Sequence, residues 1–172
     1  MIQKLPWFER SFPTGLPGHL LPVIVERLRG TPGRLVERLA EVADDVRLRR
    51  PGASWSIQEN VGHLGDMEPL WQKRIDDFAA RRTELTVADL TNRQTHDANH
   101  NSAPLAQLLT QFRAARHESI RRLCGFCEDG LAFTAIHPRL KTSMNVVDLA
   151  YFVAEHDDYH LARISELLER VA

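Results

Sequence analysis

Apolar residues recur at helical spacing over four long segments of the chain, and strand-like alternation is nowhere sustained. The first segment runs from His19 to Arg49, with Leu20, Ile24, Leu28, Leu35, Leu39 and Val42 on one face. Gly30-Thr31-Pro32-Gly33 interrupts it, because a proline removes a backbone donor. A kink or brief break is expected there; the alternative is a new helix with Thr31 as N-cap and Pro32 at its first position. Arg50-Pro51-Gly52-Ala53 reads as a turn. The second segment extends from Ser56 to about Arg82, opened by a capping box of Ser56 and Glu59. Its stripe is Ile57, Val61, Leu64, Trp71, Ile75 and Phe78. Pro69 falls inside it and sets its ring against the Gly65 carbonyl, so this helix is predicted to be bent but continuous.

Residues 83–102 lack a clear period and read as a polar connection with room for a short helical turn. Ala103 to Cys124 forms the third helix, carrying Leu105, Leu108, Leu109, Phe112 and Leu123. Gly125 to Ser143 reads as irregular, and Asn145 to Val171 is a fourth helix free of internal Gly or Pro. The fold class that follows is all-α, an up-down four-helix bundle. Residues 1–172 read as a single domain, with 1–18 a short extended leader. The leader's aromatic residues, Trp7, Phe8 and Phe12, are expected to pack on the bundle.

Composition narrows the choice of function. Lys+Arg 22 against Asp+Glu 23 gives a net charge of -1, which offers no basic footprint for nucleic acid. No apolar run is long enough for a membrane span, and the N-terminal residues lack a secretory core. Two cysteines fit a reducing cytoplasm. The expected partner is therefore a small molecule, with neither nucleic acid nor membrane involved.

The candidate chemistry lies in the fourth helix. His156 and His160, four apart, project side by side within the stripe of Val146, Leu149, Val153, Ile164 and Leu167. Two imidazoles at that spacing can share one metal ion, or they can be core histidines satisfied by hydrogen bonds. His63, at the flank of the second helix's stripe, is a candidate third ligand; three ligands would leave a position open for water or substrate. Glu68 and Asp157 also fall within apolar stripes, and a buried carboxylate needs a partner. Each could accept a hydrogen bond from a ligand imidazole; the alternative is a link across helices to an arginine or a backbone donor. Asp66, one turn from His63, is expected nearer solvent.

Other motifs carry less. His96 and His100 repeat the four-residue spacing within an Asn-rich irregular stretch, where His100 is expected at the mouth of the pocket. Cys124-Gly125-Phe126-Cys127 is a lone C-x-x-C following a helix, so structural cysteines are expected. His19, His117 and His137 read as surface or capping residues, and Arg47, Arg49 and Arg50 as a solvated face.

Two motifs carry a resemblance to a known family. Trp55-Ser56-Ile57-Gln58-Glu59-Asn60-Val61-Gly62-His63-Leu64, followed by Asp66 and Glu68, resembles the first motif of the DinB-like superfamily. His156-Asp157-Asp158-Tyr159-His160-Leu161-Ala162-Arg163-Ile164 resembles the second, and Thr31-Pro32 and His137-Pro138-Arg139 are similar to further family segments. The resemblance implies a metal-binding four-helix bundle, often a homodimer, holding one divalent ion through His63, His156 and His160. Zn, Ni and Fe(II) all suit three imidazoles. Some relatives transfer bacillithiol or a similar low-molecular-weight thiol, or isomerise maleylpyruvate with mycothiol. The resemblance therefore implies a metal-dependent thiol S-transferase acting on a small electrophile, with the thiol as cosubstrate. Its alternatives are a metal-dependent hydrolase and a non-enzymatic stress-response or binding module with a structural metal.

Overall fold

The structure is a computed structural model and describes residues 4–170. Four long helices form the body: α1 (Leu21–Leu39), α3 (Ile57–Ala79), α5 (Leu105–Leu123) and α7 (Val146–Glu169). Three short ones lie between them: α2 (Asp44–Arg47), α4 (Arg93–Asp97) and α6 (Glu128–Ala132). The four-helix bundle expected from the sequence is present. α3 packs on α5 and α7, and α1 on the same two, which leaves α1 and α3 diagonal.

Side-chain pairs give the helix directions. Gln58 bonds to the Ala103 carbonyl and Gln72 to that of Ala115, while Arg122 pairs with Asp76, so α3 and α5 run the same way. Leu16 lies at Asp148, Thr31 at Asp157 and Arg38 at Ser165, so α1 and α7 are also parallel. The order is up, down, down, up. Alternation is broken once, where residues 80–104 carry the chain back along the length of the bundle.

α3 begins as its sequence predicts. The Ser56 side chain accepts from Glu59 N at 3.1 Å, and the Glu59 carboxylate accepts from Ser56 N at 2.8 Å. α7 opens with an equivalent box of Asn145 and Asp148. Both prolines are absorbed: α1 is continuous through Pro32 and α3 through Pro69. Pro32 cannot donate to the Leu28 carbonyl one turn earlier, and Arg116 Nη1 reaches that carbonyl at 3.4 Å instead.

A two-stranded antiparallel hairpin precedes α7, β1 (Thr134–Ile136) with β2 (Ser143–Asn145), where the sequence suggested irregular chain. Three residues per strand are too few to show an alternation. The expected helix end at Val171 and residues 1–3 of the leader lie outside the described residues. Trp7 and Phe12 pack on Phe152 with ring centroids 5.1 and 4.7 Å away, but Phe8 stays 59% exposed.

The interior divides into two apolar clusters. One gathers Leu28, Trp71, Phe78 and Phe152; the other gathers Leu35, Leu64, Phe112 and Leu161. Between them runs a polar layer with one contribution from each long helix: Thr31, Glu68, Arg116 and Asp157. Among the described residues no helix is long and apolar enough to cross a membrane.

Candidate metal centre

His63 of α3 and His156 and His160 of α7 meet where these antiparallel helices cross. One nitrogen of each lies within 4.8 Å of the others, and all three residues are buried. His63 Nε2 and His156 Nε2 are 3.4 Å apart. A tetrahedral ion with ~2.05 Å bonds sets its nitrogen ligands ~3.3 Å apart, so this pair already stands at a ligand spacing.

Neighbouring groups fix the tautomers. The Thr95 hydroxyl donates to Asp66 Oδ2 at 2.8 Å, so its oxygen is free to accept from His63 Nδ1 at 3.0 Å. The Asn60 amide nitrogen donates to the Ser56 carbonyl at 2.7 Å, which turns its oxygen toward His160 Nδ1 at 2.9 Å. Both rings therefore carry their proton on Nδ1 and present an Nε2 lone pair to the centre. His156 differs: its Nδ1 is buried with no partner among the described residues. Two inward lone pairs beside a third, incompletely satisfied imidazole form a donor set that a divalent cation fits.

The three rings are neutral by virtue of their surroundings. Burial lowers the His63 pKa to about 4, with Asp66 opposing and His100 and His96 adding to the shift. Burial likewise holds His156 and His160 well below the usual imidazole range, reinforced by neighbouring histidines and by Arg116 and Lys4 respectively. An imidazole must be neutral to ligate, so all three are ready at neutral pH.

Neither Glu68 nor Asp157 supports a histidine, contrary to one of the two expectations. Glu68 accepts from Arg116 Nε at 2.7 Å and from the Ser119 hydroxyl. Asp157 accepts from Arg116 Nη2 at 2.9 Å, from Nη1, and from the Thr31 hydroxyl at 2.7 Å. Both carboxylates are fully buried, and a guanidinium compensates their charge where a neutral imidazole would not. The link across helices is the arrangement found.

His100 is not at the pocket mouth either. It is 6% exposed, packs over Gly62, and places Nε2 2.8 Å from Asp66 Oδ2. A Cβ on Gly62 would lie 2.3 Å from its Cγ, so the ring's position depends on glycine there. Asp66 lies nearer solvent than Glu68 and Asp157, as expected, and is the hub of an outer network. His96 is exposed beside Trp55, and Cys124 and Cys127 are exposed free thiols that hold no part of the core.

The histidines line a cavity of ≈ 500 Å³. Its wall is largely aromatic, from Trp7, Trp55, Trp71, Phe152 and Tyr159, with polar contributions from Arg74, His137 and Arg139 and from Glu84, Asp89 and Lys141. His137 is buried and part of this wall, not a surface residue; its Nε2 accepts from Arg74 Nη1 at 3.0 Å. Asn60 was legible as a polar residue inside the first histidine motif. Thr95 gave no sequence signal, because only the fold brings it to His63.

The sequence model of the DinB superfamily matches residues 27–164. The chain belongs to the DinB superfamily. That span contains all three histidines, Asn60, Thr95 and the Arg116 layer. Among solved structures, this DinB-superfamily chain is similar to YfiT from Bacillus subtilis, described as a probable metal-dependent hydrolase with an unusual four-helix bundle topology. The match has a TM-score of 0.80 and 18% identity, and covers 95% of this chain and 94% of that one. At that identity the likeness establishes the fold. No curated protein matches the sequence.

Proposed function

We propose that the protein is a divalent-metal-dependent enzyme that transfers a small thiol to an electrophile. The observation that carries this reading is the convergence of three neutral imidazoles in the wall of a cavity sized for a small molecule. A divalent ion held by His63, His156 and His160 would supply a positive charge that favours the ionised form of a thiol or water presented to it. Thr95 and Asn60 would keep the ring nitrogens aimed, and Trp7, Trp71 and Phe152 would exclude bulk water. In the transfer, a bond forms between thiol sulfur and the electrophilic carbon while the leaving group departs with its bonding pair. The thiol proton is released to solvent.

What favours a thiol over water is the shortage of a free general base. Glu68 and Asp157 are committed to Arg116, and Asp66 to Thr95 and His100. Water attack gains from a nearby carboxylate that takes its second proton; a thiol has none to give. Hydrolysis remains the second reading, supported by the description of YfiT as a probable metal-dependent hydrolase.

The discriminating experiment compares zinc-loaded protein with cysteine and a chromogenic aryl electrophile against the same protein with an aryl ester and no thiol. Thiol-dependent product, lost in His156→Ala, supports transfer. Ester turnover without thiol supports hydrolysis. Zinc binding with neither activity would point to a structural metal.

A further inference from the structure

Two guanidinium groups face the cavity and make no salt bridge among the described residues. Arg74, on α3, is 2% exposed. Its Nε donates to the Thr86 carbonyl at 2.9 Å and its Nη1 to His137 Nε2 at 3.0 Å. Nη2 makes no hydrogen bond among the described residues. Arg139, between β1 and β2, is half-buried, with its guanidinium 5.3 Å from the Phe8 ring and 5.9 Å from that of Phe152. Its Nη2 is buried with no partner. Arg27, Arg50, Arg116 and Arg122, by contrast, all hold carboxylates.

The carboxylates nearby form no salt bridge with either arginine. Asp77 Oδ2 accepts from the Thr86 amide and hydroxyl at 2.7 Å each, while its Oδ1 lies 3.5 Å from Arg82 Nε and makes no hydrogen bond among the described residues; Asp89 accepts from the Thr91 and Arg93 amides. Glu84 lies 4.0 Å from the exposed Lys141. Burial and the charge of Arg139 lower the Arg74 pKa to about 10, against the raising effect of Asp77. The group remains a cation at neutral pH. Trp71 adds another unused donor, since its Nε1–H is buried without an acceptor. Trp71, Arg139 and His156 supply three of the four buried polar atoms that lack a partner among the described residues, and all three residues line this cavity.

Glu84 and Asp89 also line the cavity, but neither pairs with Arg74 or Arg139, so unused donors on two guanidiniums set in a largely aromatic wall define what would complete it. We infer that Arg74 and Arg139 form an anion-binding subsite that takes the carboxylate or phosphate group of a small-molecule substrate. The bond from Arg74 Nη1 to His137 makes His137 a positioning residue. Burial and the two guanidiniums hold the His137 pKa down to about 3, so the ring is neutral, and because a guanidinium can only donate, Nε2 is the nitrogen that accepts from Arg74. The aromatic wall would receive the apolar part of the same molecule. That the anchored group is a substrate rests on the metal-centred reading above; the subsite itself does not.

The test uses the full chain, stripped of metal, titrated calorimetrically with succinate and with methyl phosphate. Dimethyl succinate serves as the neutral control. The expected result is saturable binding of at least one anion, with the neutral diester at least ~10-fold weaker, as a charge-assisted contact requires. Preference between the two anions identifies the group. Arg139→Gln, at a half-exposed position, should weaken anion binding ~10-fold or more while zinc stoichiometry is retained. Arg74→Lys keeps the buried charge but loses the planar fork, and should weaken it as well. The His63→Ala, His156→Ala, His160→Ala triple variant should lose zinc yet still bind the anion, which separates this inference from the metal reading. No preference for anions over the diester, or anion binding unchanged in both arginine variants, overturns it.

Discussion

Thr95 Oγ1 stands 3.0 Å from His63 Nδ1 and 2.8 Å from Asp66 Oδ2, so one hydroxyl fixes the tautomer of a histidine more than thirty positions earlier in the chain. The link holds the His63 lone pair toward His156 and His160. Thr95→Val keeps the shape and removes the hydroxyl. It should lower zinc affinity ~10–100-fold, the usual cost of losing an outer partner of a ligand histidine. Competition with a chromophoric chelator measures it, and an unchanged affinity would remove Thr95 from the site.

The His100 ring packs directly over Gly62 of α3. Gly62→Ala would put a methyl 2.3 Å from His100 Cγ, so the imidazole must move away from Asp66. The expected loss of stability is ~1–3 kcal/mol by urea denaturation, typical of overpacking. Pairing it with His100→Ala should cost less than the sum of the two single changes, because the clashing ring is gone. Strict additivity would contradict the contact.

Arg116 pairs with two buried carboxylates and also caps the Leu28 carbonyl that Pro32 leaves free. Arg116→Leu strands both charges and should cost ~3–5 kcal/mol in a denaturant titration. Replacing Glu68, Arg116 and Asp157 together by apolar residues should restore much of that loss. A triple variant no more stable than the single one would argue against the triad as the cause.

The local features of this fold were legible in the sequence because they depend on neighbours in the chain. Ser56 and Glu59 cap α3 as their spacing requires, and the four-residue step from His156 to His160 places both on one face. His63 was assigned by a flank position and a motif. What stayed hidden depends on packing between segments distant in sequence. Periodicity showed that Glu68 and Asp157 were buried but could not choose between an imidazole and Arg116, which lies on another helix. His137 sits in irregular chain, where no period reports burial. The hairpin strands are too short to alternate, and the α3-to-α5 direction is set by how residues 80–104 pack.

Acid should unfold the metal-free protein in a defined window. Burial lowers His63 to about 4 and His137 to about 3 from an ordinary value of 6.5, and His156 and His160 shift in the same direction. The unfolded chain therefore takes up more protons below pH 6.5, and the folded state loses stability as pH falls. This contribution is complete above pH 6.5 and declines toward pH 3–4. Glu68, raised by burial, opposes it, one group against four histidines. The thermal midpoint should fall from pH 7 to pH 5; a flat or rising midpoint would contradict the burial of neutral imidazoles.

The central claim is that His63, His156 and His160 hold one divalent ion. Elemental analysis of the purified chain, after reconstitution with zinc, nickel or ferrous iron and desalting, tests it against the triple His63→Ala, His156→Ala, His160→Ala variant. About one metal per chain, absent from the triple variant, is the predicted result. No retained metal in the unaltered chain, or equal metal in both proteins, would contradict the account.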